Sequence, residues 1–293
     1  MKRIFFTAGI IFLLAVHAVA QPAEVLRSDA SSAESQDEYA LAAKKYEEAA
    51  NAYKSQNIID TLCIYRAGYN YLKTEQYRKA IPFLQESIDL NYNLSKSYQL
   101  LSDAYLGLNE AQKAGDVLLE GKTKSPGEEI DFDKKLAYLY FNTGAYKKAA
   151  LQFARLDSLF PGNKNYMYLY GFALERIQKY DQAIEVLEKE QQLFPDDKKA
   201  RKILGLAWFE RTDVLNDKEV KRYESMKNAK IEDYIGTTKR LDQINTGYEK
   251  AREILEESLT DYPGDKLVIG TLYKVYKKLK NDDKAARMQE LLK

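Results

Sequence analysis

Apolar and small residues recur along much of the chain in steps of three and four. Ile64, Ala67, Gly68 and Tyr71 mark one face of a short segment, a polar break follows, and Ala80 and Leu84 mark the next face. That spacing predicts two short amphipathic helices joined by a turn. The arrangement returns at Leu136, Ala137, Tyr140, Ala149 and Phe153, and again at Tyr170, Gly171, Leu174, Ala183 and Leu187. Pro161 and Pro195 close these two copies, because proline cannot continue a helix.

The copies keep one period. The small residues Ala80, Ala114, Ala149, Ala183, Ala251 and Ala285 lie 34, 35, 34, 68 and 34 residues apart, and Pro126, Pro161, Pro195 and Pro263 keep the same beat. Ala or Gly at such places lets two helices approach closely. With these residues the chain resembles the tetratricopeptide repeat family over about residues 61–293. Ser102, Tyr273 and Tyr92 depart from the residues that family favours at their positions. The resemblance implies an all-α fold, a right-handed α-solenoid of helix-turn-helix repeats.

Taken in order, residues 1–20 read as an export signal. Lys2 and Arg3 lead, Ile4 to Val16 is apolar, and Ala18-Val19-Ala20 offers small residues for cleavage before Gln21. Residues 21–36 are rich in Ala, Ser and acids and are expected to form a flexible lead-in. Residues 37–60, with Tyr39, Ala42, Tyr46, Ala49 and Tyr53 in helical register, predict a single N-terminal capping helix. Repeat units are expected at 61–94, 95–128, 130–163, 164–197, 198–265 and 266–293, the last a polar C-terminal cap.

The fifth unit carries an insert at 211–247. A hidden repeat there would place Thr238, Lys239 and Asp242 against Asp217, Lys221 and Glu224, which cannot make a buried seam. Leu241, Ile244, Tyr248, Ala251, Leu255, Ser258 and Tyr262 instead run on at steps of three and four, predicting an extended helical hairpin. This long unit also resembles a terminal module of exported tetratricopeptide proteins of the Bacteroidota. With eight basic and seven acidic residues, the insert reads as a solvated arm or a partner contact.

Charge and chemistry narrow the function. Without Lys2 and Arg3 the 45 basic residues fall just below the 44 acidic ones, a balance that argues against nucleic-acid binding. The one histidine, His17, lies in the export signal, so the exported chain has no imidazole for a catalytic triad or a zinc site. The single cysteine, Cys63, permits no internal disulfide and reads as a packing residue. Paired acids at Glu128-Glu129, Asp131/Asp133, Asp196-Asp197 and Asp282-Asp283 fall at turns and helix starts, where they cap free N–H groups. No enzyme, cofactor or metal is expected, and no stable membrane anchor after cleavage.

Tyrosine occurs 23 times. At 100° per residue, one face of each first helix meets its partner and the opposite face looks into the concave groove of stacked repeats. The groove positions hold Tyr65, Gln99, Lys134, Tyr168 and Lys202, and then Tyr69, Asp103, Tyr138, Phe172 and Leu206. Of these, Tyr65, Tyr69, Gln99, Asp103, Lys134, Tyr138, Tyr168, Phe172 and Lys202 are the candidate partner-binding residues, and the alternative for the second set is packing between adjacent first helices. Large rings on a rigid wall suit peptide capture. The carboxylate clamp that the resemblance would imply is not carried over, because Tyr69, Asp103 and Tyr138 replace its asparagines. The sequence points to an exported, non-enzymatic scaffold, periplasmic or secreted, that binds a protein or peptide. The alternative is a carbohydrate or peptidoglycan binder with the tyrosines stacked on sugar faces.

Overall fold

A computed structural model of the chain describes residues 21–293, so the expected export signal lies outside the described residues. These residues form fourteen α-helices and no strand. They fall into two compact units, residues 21–117 and 118–293, the boundary along the chain falling within the sequence of α6 (Ala111–Lys124).

The first unit holds α1 (Ala23–Ser35), α2 (Tyr39–Ser55), α3 (Thr61–Lys73), α4 (Tyr77–Asp89) and α5 (Leu94–Gly107), each packed on the next. Two expectations are corrected here. Residues 23–35 are not a flexible lead-in but a helix that buries Ala23, Leu26, Ala30 and Ala33 at steps of three and four. Its partner α2 is therefore the second helix of a pair, not a lone cap. Glu34 ties the pair together and to α3: its carboxylate accepts from Tyr46 Oη at 3.0 Å and from Arg66 Nη1 at 2.9 Å.

One turn closes the first helix of six pairs. Asp37, Glu75, Asn109, Gly144, Gln178 and Lys280 all adopt left-handed backbone. At each, two N–H groups bond back to the last helical turn: Glu75 to Leu72 O at 3.0 Å and Gln76 to Tyr71 O at 2.9 Å. This pair of hydrogen bonds satisfies carbonyls that the helix end leaves open. Only Gly144 is the residue for which that backbone is free of strain.

The second unit continues with α7 (Glu129–Asn142), α8 (Tyr146–Leu159), α9 (Lys164–Arg176), α10 (Tyr180–Leu193), α11 (Lys198–Glu224), α12 (Ile231–Asp261), α13 (Lys266–Lys278) and α14 (Asp282–Leu291). Neighbours pack in sequence, and α9 also touches α11, and α11 touches α13, so first helices stack along one side. The core runs through Ala137, Phe153, Leu174, Leu187, Leu204, Tyr248, Leu255 and Leu272. Asp133, fully buried within α7, is neutralised by Lys122 and by Arg155 Nε at 2.9 Å from its Oδ2.

Helices α11 and α12, of 27 and 31 residues, form the extended hairpin, and α12 runs unbroken through Gly236 and Gly247. Tyr248, Ala251, Leu255 and Ser258 are buried, and Leu241, Ile244 and Tyr262 half-buried. Thr238, Lys239, Asp242, Asp217, Lys221 and Glu224 all face solvent, as a solvated arm rather than a hidden repeat requires. Toward its tip the seam turns polar: Glu219 is held by Arg222 Nη2 at 2.6 Å and Arg240 Nε at 2.7 Å.

Candidate functional site

Within the second unit, a hollow of about 540 Å³ opens beside the stacked first helices. Tyr138 of α7, Lys164, Asn165 and Tyr168 of α9, Asp196 to Lys199 at the start of α11, and Tyr262 just past α12 line it. Repeat chemistry puts them there. Phe160, Phe194 and Tyr262 each end a second helix with nearly the same backbone, φ −129°, −133° and −134°, and each precedes a proline. A lysine lies over each ring: Lys134 on Phe160 at 5.3 Å, Lys164 on Phe194 at 5.7 Å and Lys202 on Tyr262 at 5.4 Å. Such contacts hold a cation on an aromatic face while leaving the opposite side of the ring available.

The charges around the hollow are mostly satisfied. Lys164 Nζ is 3.0 Å from Asp197 Oδ2, and Lys198 Nζ is 2.9 Å from Asp261 Oδ1. Burial works against an ionised Asp197, yet the Lys164 pair and the N–H groups of Ala200 and Lys199 prevail and hold its carboxyl below the usual range. Beneath them Glu190 is fully buried, and burial pushes its carboxyl up to about 7. Gln191 Nε2 bridges Glu190 Oε2 at 3.1 Å and the Asp197 carbonyl at 3.0 Å. The floor is thus fixed, and what it offers a ligand is aromatic surface bordered by Asn165, Asp196 and Lys199.

Of the candidate residues, Tyr138 and Tyr168 meet at this hollow, and Lys202 supports it from behind Tyr262 through its 3.1 Å pair with Asp265. Phe172 does not join them. Its ring is packed among Phe141 at 5.2 Å, Tyr146 at 5.8 Å and Tyr168 at 6.3 Å, under Arg176. Lys134 is occupied by Asp131 at 3.2 Å and by Phe160.

In the first unit two placements are corrected. Tyr65 is 7% exposed, covered edge-on by Tyr92 from the loop after α4, and Gln99 is 9% exposed with its amide on Ser95 Oγ at 3.2 Å. Helical angle gives the direction of a side chain but not what a neighbouring loop lays over it. Tyr69 is half-buried beneath Arg66 and Lys73, and Asp103 is half-buried on α5. Cys63 is buried in α3, and burial pushes its thiol up to about 12, which leaves it unreactive.

Sequence reasoning missed Tyr262, Lys164, Asn165 and the 196–199 turn. The available signal was the aromatic-proline pair, Phe160-Pro161, Phe194-Pro195 and Tyr262-Pro263, in phase with the repeat.

Residues 133–190 match the sequence model of the family described as anaphase-promoting complex, cyclosome, subunit 3. No curated protein matches the chain. Among solved structures, the C-terminal part of a TPR repeat-containing protein from Cytophaga hutchinsonii is similar with a TM-score of 0.59 at 12% identity, over 90% of this chain and 93% of that one. The MamA protein is similar with a TM-score of 0.50 at 19% identity, over 60% of this chain and 93% of that one. Paired helices in a 34-residue rhythm, closed by one recurrent turn and matched by these structures, give this chain the tetratricopeptide-repeat fold.

Proposed function

We propose that the chain is an exported, non-enzymatic scaffold, working in the periplasm or after secretion, that captures a peptide or protein segment in the hollow of its second unit. The observation that carries this reading is the convergence of Tyr138, Tyr168 and Tyr262 on one open hollow whose charged floor is already paired. Rigid tyrosines bury much area at small entropic cost, and a pre-formed floor leaves little to reorganise on binding. Stacked repeats commonly present such surfaces to partners. Export rests on the charged start, apolar run and small-residue site of residues 1–20. Mass measurement of the protein recovered outside the cytoplasm is expected to show a chain beginning at Gln21.

The test of binding is a panel of short peptides and a panel of soluble glycans, read by thermal shift on the parent protein and on Tyr138→Ala. Stabilisation by peptides that Tyr138→Ala loses is expected. Stabilisation by glycans alone would transfer the hollow to the carbohydrate reading.

A further inference from the structure

The far end of the α11–α12 hairpin carries features that neither the repeat fold nor the hollow uses. Ile231, Tyr234 and Ile235, in the first turns of α12, are 71%, 58% and 60% exposed. Spaced by three and four, they lie on one side of the helix, away from the inward-facing Thr237. Tyr223 of α11 extends the patch, its ring edge-on to Tyr234 at 6.3 Å.

Charge is concentrated at the same place. Residues 218–240 hold seven basic and four acidic side chains, in a chain whose totals are 45 and 44. The two arginines are committed inward, since Glu219 binds both Arg222 and Arg240, and Thr237 Oγ1 accepts from Arg222 at 3.0 Å. The outward cations are lysines: Lys218, Lys221, Lys227, Lys230 and Lys239 are all exposed. Against these five lysines stand two exposed acids, Glu224 and Glu232, while Asp233 is occupied in accepting the Lys230 N–H at 3.0 Å. The outer surface of the tip therefore combines a small apolar wedge, tyrosines and a surplus of flexible cations.

We propose that this tip docks reversibly on an anionic phospholipid surface. Ile231 and Ile235 enter the boundary between headgroups and acyl chains, Tyr234 lies at headgroup level, and Lys221, Lys227 and Lys230 meet lipid phosphates. Interfacial helices bind through this combination of a few apolar side chains and surrounding lysines, and tyrosine favours that depth. A folded protein partner fits less well, because three apolar side chains fall far short of the ~800 Å² per partner of a standard interface. A bilayer sets no such minimum, and the polar lock of Glu219 with two arginines keeps the tip folded while its apolar side faces outward. No described helix is long and apolar enough to cross a membrane.

The test is co-sedimentation of the purified chain, its N-terminus established by mass, with phosphatidylcholine vesicles with and without phosphatidylglycerol. Binding that requires phosphatidylglycerol and weakens with salt is expected. The double substitutions Ile231→Ser with Ile235→Ser, and Lys227→Glu with Lys230→Glu, should each reduce it about tenfold or more. All four positions are exposed, so helicity and melting temperature should stay at parent values. Equal vesicle binding by parent and both variants would overturn the proposal, as would no binding by the parent. A concentration-dependent dimer abolished by the same substitutions, without vesicle binding, would give the patch to a second copy of the chain and also overturn it.

Discussion

Gly171 and Leu187 lie so close that a Cβ added to Gly171 would stand 2.5 Å from the Leu187 Cγ. The same glycine-on-leucine contact recurs at Gly68 on Leu84, at 2.9 Å, and at Gly205 on Leu255, at 2.8 Å. Replacing a helical glycine by alanine gains up to about 1 kcal/mol of helix propensity, whereas overpacking costs about 1–3 kcal/mol. At Gly171 the clash wins, so Gly171→Ala should lose about 1–2 kcal/mol. Gly270, inside α13, has nothing within 4 Å of its added Cβ, and Gly270→Ala should gain about 0.5–1 kcal/mol. Urea unfolding of the two variants checks the opposite signs, and a loss at Gly270 would mean that α13 packs differently.

Tyr138 and Phe172 separate binding from packing. Tyr138 is 39% exposed at the hollow and touches the core through one edge-on contact with Phe153 at 5.7 Å, while Phe172 is half-buried among three aromatic rings. Tyr138→Ala should weaken partner capture by on the order of 2 kcal/mol and change the melting temperature little. Phe172→Ala should lose about 1–3 kcal/mol of stability, because it removes a ring packed against three others. Tyr168→Ala should show both effects, since its ring lines the hollow and also touches Phe172. If Tyr138→Ala melts as early as Phe172→Ala, its ring belongs to the core.

The limits of reading this fold from sequence can be traced to particular residues. The regular repeats were legible because Ala80, Ala114, Ala149 and Ala183 keep one spacing. The first pair was not, although Ala42 is as fully buried as Ala80, because the two lie 38 residues apart. Helix α2 has 17 residues where α4 has 13, and that extra turn breaks the period. Helix α1 hid for a second reason: among its buried residues only Leu26 is large, so its packing face reads as a serine-alanine tether. The hairpin was legible in outline, but its expected inner limits were too generous. Thr212 and Gly247, at the ends of the insert, lie in close contact, and Tyr248 Oη donates to Asp213 at 2.8 Å. In the hollow, Tyr138 and Tyr168 followed from helical angle alone. Tyr262 did not, because helical spacing assigned it to the hairpin seam, whereas it is the non-helical residue just past α12 and lines the hollow.

Asp133 offers an asymmetric test of buried charge. It is wholly buried, whereas the side chains of Lys122 and Arg155 are 24% and 52% exposed. Asp133→Asn leaves two cations that can reach water and should cost about 1–2 kcal/mol. Replacing both cations, as Lys122→Met with Arg155→Met, strands a buried carboxylate and should cost about 3 kcal/mol or more at neutral pH. Urea unfolding of the two variants gives the comparison, and equal costs would show that the carboxylate is reached by solvent.

Glu190 should set part of the pH dependence of stability. It is fully buried, its Oε1 has no hydrogen-bond partner, and its Oε2 accepts only from Gln191. Burial, above all, raises its folded value to about 7, against about 4.3 in an unfolded chain. The sign follows from proton binding. Between those two values the folded state holds the proton more tightly, so stability is greatest at low pH and falls as pH rises through the window. Above pH 7 the whole cost is present, roughly 3–4 kcal/mol. Glu190→Gln cannot ionise and should lack this loss, so it should be the more stable protein at pH 8 and show little of that advantage at pH 4. Chemical unfolding of parent and variant at both pH values gives the comparison. Two profiles that stay parallel would mean that Glu190 is ionised in the folded state at ordinary values and that water or Lys164 reaches it.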